Sequence, residues 1–186
     1  MNFCTSRGCR VVFDPYLLSS VCSFKDGRRF IQIVDDTLLY YEISTTPQLT
    51  HRLLHRQDIA RLLPKYRSDV SGITLACDDN VLLISCGDRT IYYGNVKPTL
   101  INLQELEFDT YDIYPEDCST MDPCRTRPMV LVGLYSGAVL SIHFNHKETW
   151  SAKFIEKIRV KQDRQMVATV VEDELLGAVC YDLKVC

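Results

Sequence analysis

His51 and His55 stand four residues apart, a spacing that on a helix would put both imidazoles on one face, within reach of a shared zinc ion. No glutamate follows His51 directly, so the zinc-protease pattern is missing. The pair reads instead as solvated histidines on the edge of a strand or helix. Cys118 and Cys124, together with His143 and His146, are a second set of four potential ligands. Zinc knuckles keep about two to four residues between their cysteines, and the five found here fit no standard module; Cys4 with Cys9 is a poorer match. The acidic clusters Asp35-Asp36, Asp78-Asp79 and Glu172-Asp173-Glu174 could hold a metal or move a proton. All three fall at the ends of apolar runs, where a turn calls for short polar side chains. A Gly-x-Ser-x-Gly elbow is absent, and the eight glycines are scattered at turns such as Gly27, Gly87 and Gly137, not gathered into a phosphate-cradling loop. No catalytic constellation emerges, and neither a cofactor nor a metal is expected.

The elements around these residues repeat. Four times an apolar run meets a short polar turn and returns as a second apolar run. The first unit is Phe30-Ile31-Gln32-Ile33-Val34, turning at Asp35-Asp36 into Thr37-Leu38-Leu39-Tyr40-Tyr41. The second is Val81-Leu82-Leu83-Ile84-Ser85-Cys86, turning at Gly87-Asp88 into Arg89-Thr90-Ile91-Tyr92-Tyr93. The third runs from Val130 to Tyr135, turns at Ser136-Gly137 and returns from Ala138 to Ile142; the fourth runs from Leu175 to Cys180 and turns at Tyr181-Asp182. Counted between Asp35, Gly87, Ser136 and Tyr181, the steps are 52, 49 and 45 residues, close to the roughly 40–50 residues of one propeller blade.

Further strand signals flank each hairpin: Gly72-Ile73-Thr74-Leu75-Ala76-Cys77 and Thr99-Leu100-Ile101-Asn102-Leu103 around the second, residues 152–160 behind the third, and residues 166–171 ahead of the fourth. Each complete unit therefore reads as four antiparallel strands. Residues 57–63 break the rhythm with helical spacing, Ile59, Leu62 and Leu63 sharing one side and Pro64 closing the segment. They predict a short helix packed on the array. Residues 114–128, with Pro115, Pro123 and Pro128, read as an exposed loop, and the single tryptophan, Trp150, falls in a loop-like position.

With 186 residues and 46% apolar composition the chain can bury one real core. Its 21 basic and 24 acidic side chains nearly balance, unlike the basic stripe of a nucleic-acid binder. No apolar stretch approaches the roughly 20 residues of a membrane helix, and the first ten residues lack the apolar core of a secretory signal. An intracellular protein, cytoplasmic or nuclear, is expected. Cys22, Cys77, Cys86 and Cys180, among nine cysteines, sit in or beside apolar runs and are expected to be buried thiols.

The hairpin spacing and four-strand units resemble a degenerate WD40-type β-propeller over most of the chain from about Val11, although the chain has neither a Trp-Asp dipeptide nor a Gly-His pair at a blade start. The expected fold is all-β: a single domain over residues 1–186, a propeller-like array of four-stranded antiparallel blades, three complete and one partial, with a short inserted helix. The blades fall at about 11–55, 69–106, 109–160 and 166–186. Closed propellers take about four to eight blades, so three outcomes stand open. The chain is a fragment, a partner completes the ring, or Arg10-Val11-Val12-Phe13 supplies the missing strand, as in WD40 ring closure. The resemblance implies a non-enzymatic scaffold for protein–protein interaction, a subunit of a larger complex. Its partners would be other protein subunits, with no membrane insertion, nucleic acid or small-molecule substrate. The recognition loops would include Asp35, Asp36, Asp88, Arg89, Lys161, Asp163 and Arg164, whose mixed charge suits protein recognition. The alternatives are a fragment of a longer nuclear or vesicle-trafficking propeller scaffold, or an enzyme with its site in the propeller channel.

Overall fold

A run in which every second residue is apolar buries one face of a strand, and a run that is apolar throughout buries both. Both patterns occur in the computed structural model, which describes residues 19–63, 70–86, 90–97, 101–106, 118–124, 126–134, 138–159, 165–172 and 175–181. In strand β2 (Arg29–Val34), Ile31 and Ile33 are buried while their neighbours are half-exposed. It turns into β3 (Thr37–Ser44) through two residues, with Val34 opposite Thr37 and Asp35 in the left-handed conformation, φ 50°, that such a tight turn needs. In β6 (Val81–Cys86) every residue is buried.

Three four-stranded antiparallel sheets result, each a meander in chain order. The first joins β1 (Ser19–Ser23), β2, β3 and β4 (Thr50–Asp58); the second joins β5 (Val70–Ala76), β6, β7 (Ile91–Val96) and β8 (Ile101–Glu105). The third joins β9 (Cys118–Pro123), β10 (Met129–Leu134), β11 (Ala138–His146) and β12 (Trp150–Arg159). A two-stranded sheet follows, β13 (Gln165–Glu172) with β14 (Leu175–Tyr181). The first strand of each sheet packs against the first strand of the next, β1 on β5, β5 on β9 and β9 on β13.

The core forms between the sheets. Ile31, Ile33, Leu38 and Tyr40 of the first sheet meet Leu82, Ile84, Cys86 and Tyr92 of the second. Val81, Leu83, Ile91 and Tyr93, on the opposite face of that second sheet, meet Val130, Val132, Leu140 and Ile142 of the third. The third sheet in turn buries Met129, Leu131 and Val139 on its other side, where β10 packs on β13. Leu82 and Leu83, adjacent and both 0% exposed, thus belong to two different cores. Full burial of one such side chain stabilises by about 1.5–3 kcal/mol.

Side-chain amides link neighbouring sheets. The Gln57 side chain on β4 donates to the Ile101 carbonyl at 2.7 Å and accepts from the Ile101 N–H at 3.1 Å. Asn95 on β7 repeats the arrangement with Trp150, donating to its carbonyl at 2.9 Å and accepting from its N–H at 2.8 Å. Each amide imitates one rung of a strand ladder across two sheets that share no backbone ladder.

Several expectations change. The helix is real but shorter: β4 runs through Gln57 to Asp58, and α1 spans only Ile59–Leu62, with Asp58 as N-cap accepting from the Arg61 N–H. Ile59 and Leu63 are buried, but Leu62 is 43% exposed: the helix ends at Leu62, and Leu63 reaches the core from extended backbone, φ −119° and ψ 96°, not from the helical position that the spacing predicted. The stretch read as a loop contains the first strand of the third sheet, β9, which ends at Pro123; proline is tolerated where a strand stops pairing. Trp150 opens β12 instead of lying in a loop, held there by Asn95. Tyr181 pairs with Gln165 inside β14, so the fourth unit does not turn at that residue. Arg10-Val11-Val12-Phe13 and Leu183-Lys184-Val185 lie outside the described residues. Among the described residues no helix is long and apolar enough to cross a membrane.

Candidate functional site

Two turns from different sheets meet at one end of the array. In the first, between β1 and β2, Gly27 takes φ 65° and Asp26 accepts from the backbone N–H groups of Arg28 at 2.8 Å and Arg29 at 3.0 Å. The Arg28 N–H, and after it the Arg29 guanidinium, hold the Asp26 carboxyl below its usual range. Arg29 is fixed from three sides: it pairs with Asp26, donates to the Tyr40 hydroxyl at 3.1 Å, and lies 4.5 Å over the Phe24 ring. Phe24 stacks on Tyr40 at 5.2 Å, so an exposed turn is anchored on a buried aromatic pair.

The second turn, between β5 and β6, carries three consecutive non-glycine residues at positive φ: Cys77 at 53°, Asp78 at 54° and Asp79 at 65°. Each such residue costs on the order of 1–2 kcal/mol. Asn80 holds the turn by donating its side-chain amide to the carbonyls of Cys77 at 2.8 Å and Asp78 at 3.1 Å. Lys25 then ties the turns together, its N–H donating to Asp79 at 2.7 Å and its ammonium pairing with Asp78. The ion pair is solvated, with side chains 59% and 81% exposed, and contributes little energy. Its effect is to hold Lys25, Asp78 and Asp79 together; with the exposed Arg28 on the first turn beside Lys25, they form one mixed-charge collar. The sequence displayed the acidic pair only as turn formers; the partner 53 or 54 residues upstream leaves no local signal.

The residues expected to recognise partners fall elsewhere. Asp35 is exposed, and Asp36 is half-buried, its carbonyl accepting from the Ile59 N–H at 2.8 Å. The two sit at the opposite end of the first sheet from Lys25, because β2 separates the two turns. Asp88, Arg89, Lys161, Asp163 and Arg164 lie outside the described residues.

The possible metal ligands are dispersed. A bulge between Tyr40 and Tyr41 in the pairing with β4 puts His51 and His55 on opposite faces of the first sheet: His51 meets the Tyr41 ring edge-on at 5.9 Å, while the His55 Nε2 is buried without a hydrogen-bond partner. His143 contacts the Ser141 hydroxyl at 2.7 Å, and His146 lies 4.9 Å from the Trp150 ring. Among the described residues no three His, Cys, Asp or Glu side chains gather closely enough to hold a metal.

Ser141 and His143 have the spacing of a nucleophile and its base. Ser141 is 4% exposed among Leu131 and Val139, and the contact spans only two residues of one strand, so it satisfies a buried hydroxyl. The thiols divide by environment. Burial pushes Cys22 and Cys77 up to about 12, with Asp79 and Asp78 respectively adding to the rise. Cys124 goes the other way: burial opposes its ionisation, but the Thr126 hydroxyl and the N–H groups of Thr126 and Arg127 more than offset it and lower its pKa. Cys77 and Cys86 are buried, as expected, whereas Cys22 is only half-buried at the edge of its core; the Cys180 side chain lies outside the description.

No protein-family model matches the chain, and no curated protein does so.

Proposed function

We propose that this chain is a non-enzymatic protein-interaction scaffold of propeller-like design, acting as a subunit of a larger complex. The observation that carries the reading is the collar in which Lys25 joins the turns of two successive sheets. Four sheets meeting through their first strands support the propeller-like arrangement, since blades meet at a common axis through their innermost strands. A collar of both signs, held on sheet ends, supports recognition of a complementary protein surface: fixed charges select partners and speed encounter, and loops ordered beforehand lose less entropy on binding.

The test changes two exposed side chains of the collar outside the strained turn, Lys25→Ala with Arg28→Glu, and compares capture of interacting proteins from cell extract by both forms. The expected result is a stoichiometric protein partner that weakens with salt and is lost from the variant at unchanged melting temperature. Identical capture by both forms, or no stoichiometric protein with either, would overturn the reading.

A further inference from the structure

A strand at the margin of a sheet leaves a row of backbone N–H and C=O groups without partners on its open side. Each four-stranded sheet ends in such a strand, β4, β8 and β12, and among the described residues no strand pairs with the outer side of any of them. Their side chains set β4 apart. β8 carries one acid, Glu105, and no base, while β12 mixes Lys153, Lys157 and Arg159 with Glu156. β4 carries His51, Arg52, His55 and Arg56, and no acid until its last residue, Asp58. Asp58 is held by Arg61 at 3.0 Å, and Glu42, opposite on β3, is held by Arg52 at 2.7 Å. Arg56 is the surplus. It is exposed and, among the described residues, has no acidic partner.

Register suits the outward face of β4 to a particular neighbour. His51 stands opposite Ile43, Leu53 opposite Tyr41 and Arg56 opposite Leu39. The three β3 residues are spaced by two, so their partners share one face in that order. His51 and Arg56 are exposed, and Leu53 is 47% exposed. Leu53 ends a row formed with Ser23, Phe30 and Tyr41, in which Phe30 stacks on Tyr41 at 4.9 Å. A strand laid along β4 adds a fifth member to this row. An apolar side chain at that point meets Leu53, and carboxylates to either side of it meet His51 and Arg56. Apolar and opposite-charge pairs of this kind stabilise neighbouring strands, and like charges oppose them. A second copy of β4 in the same place would set basic residues against basic residues.

We infer that β4 accepts, by strand pairing along its open edge, an extended acidic segment of a partner protein, with an apolar residue flanked by carboxylates on the same face. Backbone hydrogen bonds supply the binding, and the His51, Leu53 and Arg56 side chains supply the selection. The nine residues of β4 can span the whole of such a segment.

The probe is a fluorescein-labelled peptide, acetyl-Thr-Glu-Thr-Val-Thr-Glu-Thr-amide, titrated with the whole chain and read by fluorescence anisotropy. Saturable binding that weakens with salt is expected, with new hydrogen-exchange protection in β4. Binding should be about tenfold weaker with His51→Glu/Arg56→Glu, and equally so for a peptide with lysine in place of glutamate. Methylating every backbone nitrogen of the peptide keeps its charge but removes its donors, and should abolish binding. The two peptide controls leave the protein unaltered, so they decide the question whatever the double variant does to folding. No saturable binding of the parent peptide would overturn the inference. Equal binding of the lysine peptide would remove the selection, and equal binding of the methylated peptide would mean contact through charge alone; either result overturns it. So would a wild-type dimer that the two glutamates dissociate, because a second copy would then occupy the edge. Capture through the collar is a separate measurement, so the scaffold reading stands or falls independently.

Discussion

At the scale of single residues, side chains replace backbone in holding sheet to sheet. Gln57 is 6% exposed and occupies both hydrogen-bonding groups of Ile101. Gln57→Leu keeps the volume but strands a buried N–H and a buried carbonyl, each costing about 1–3 kcal/mol. Urea denaturation should show a loss of roughly 2–4 kcal/mol at unchanged m-value; a loss under 0.5 kcal/mol would mean water replaces the amide at no cost. The half-buried Cys22 thiol gives a pH signature. Cys22 ionises near 9.0 when unfolded and at about 12 when folded, so the unfolded chain releases its proton first. Stability is whole below pH 9 and declines as pH rises toward 12. Between pH 8 and 10.5 the decline should be shallower in Cys22→Ala than in wild type; equal slopes would refute the assignment. These roles were only half legible. A cysteine among aliphatic residues announces burial, but nothing in Gln57 or Asn95 points to partners 44 and 55 residues away.

Elements were the most legible level, because a strand's period and a tight turn's chemistry are local. The strands of the first three hairpins pair as antiparallel neighbours, although the turns expected at Gly87-Asp88 and Ser136-Gly137 lie outside the described residues, and the apolar run Val81–Cys86 is buried on both faces. Failures came where local chemistry was overruled. Residues 57–63 carry a helical pattern, yet Gln57 and Asp58 remain in β4, paired with Leu38 and Thr37. Prolines suggested a loop where β9 runs, since an inner edge strand needs only one hydrogen-bonded side. Close approach at β7 permits one further prediction. A methyl group on Gly94 would stand 2.8 Å from the Asn102 carbonyl and 2.9 Å from the Ile101 side chain. Gly94→Ala should therefore push β8 away, lowering stability by about 1–3 kcal/mol and raising hydrogen exchange through Ile101–Glu105. Unchanged protection there would show that β8 yields freely.

At the scale of the whole molecule, the main contacts of each described sheet are with the sheets before and after it, an arrangement in which stability is expected to follow nearest-neighbour terms. Leu82→Ala and Leu83→Ala delete equal volumes from adjacent positions and should each cost roughly 3–4 kcal/mol. Their effects should spread in opposite directions. The first should loosen the first and second sheets, the second the second and third, read as exchange protection sheet by sheet. Identical maps for the two variants would mean that the cores act as one. The meander has a mechanical consequence as well. Within each four-stranded sheet every strand hangs from the one before it by a ladder, while among the described residues the contacts between sheets run through side chains. Tension on the chain would peel β4, β8 or β12 from its edge one rung at a time, because strands drawn back along a hairpin unzip rather than shear. Each released sheet would lengthen the tether in a discrete step, about 130–140 Å for the segment from Ser19 to Asp58 at roughly 3.3–3.6 Å per residue. An assembly built on such a part gives way under load in measured instalments, one sheet at a time, and keeps the rest of its structure as it extends.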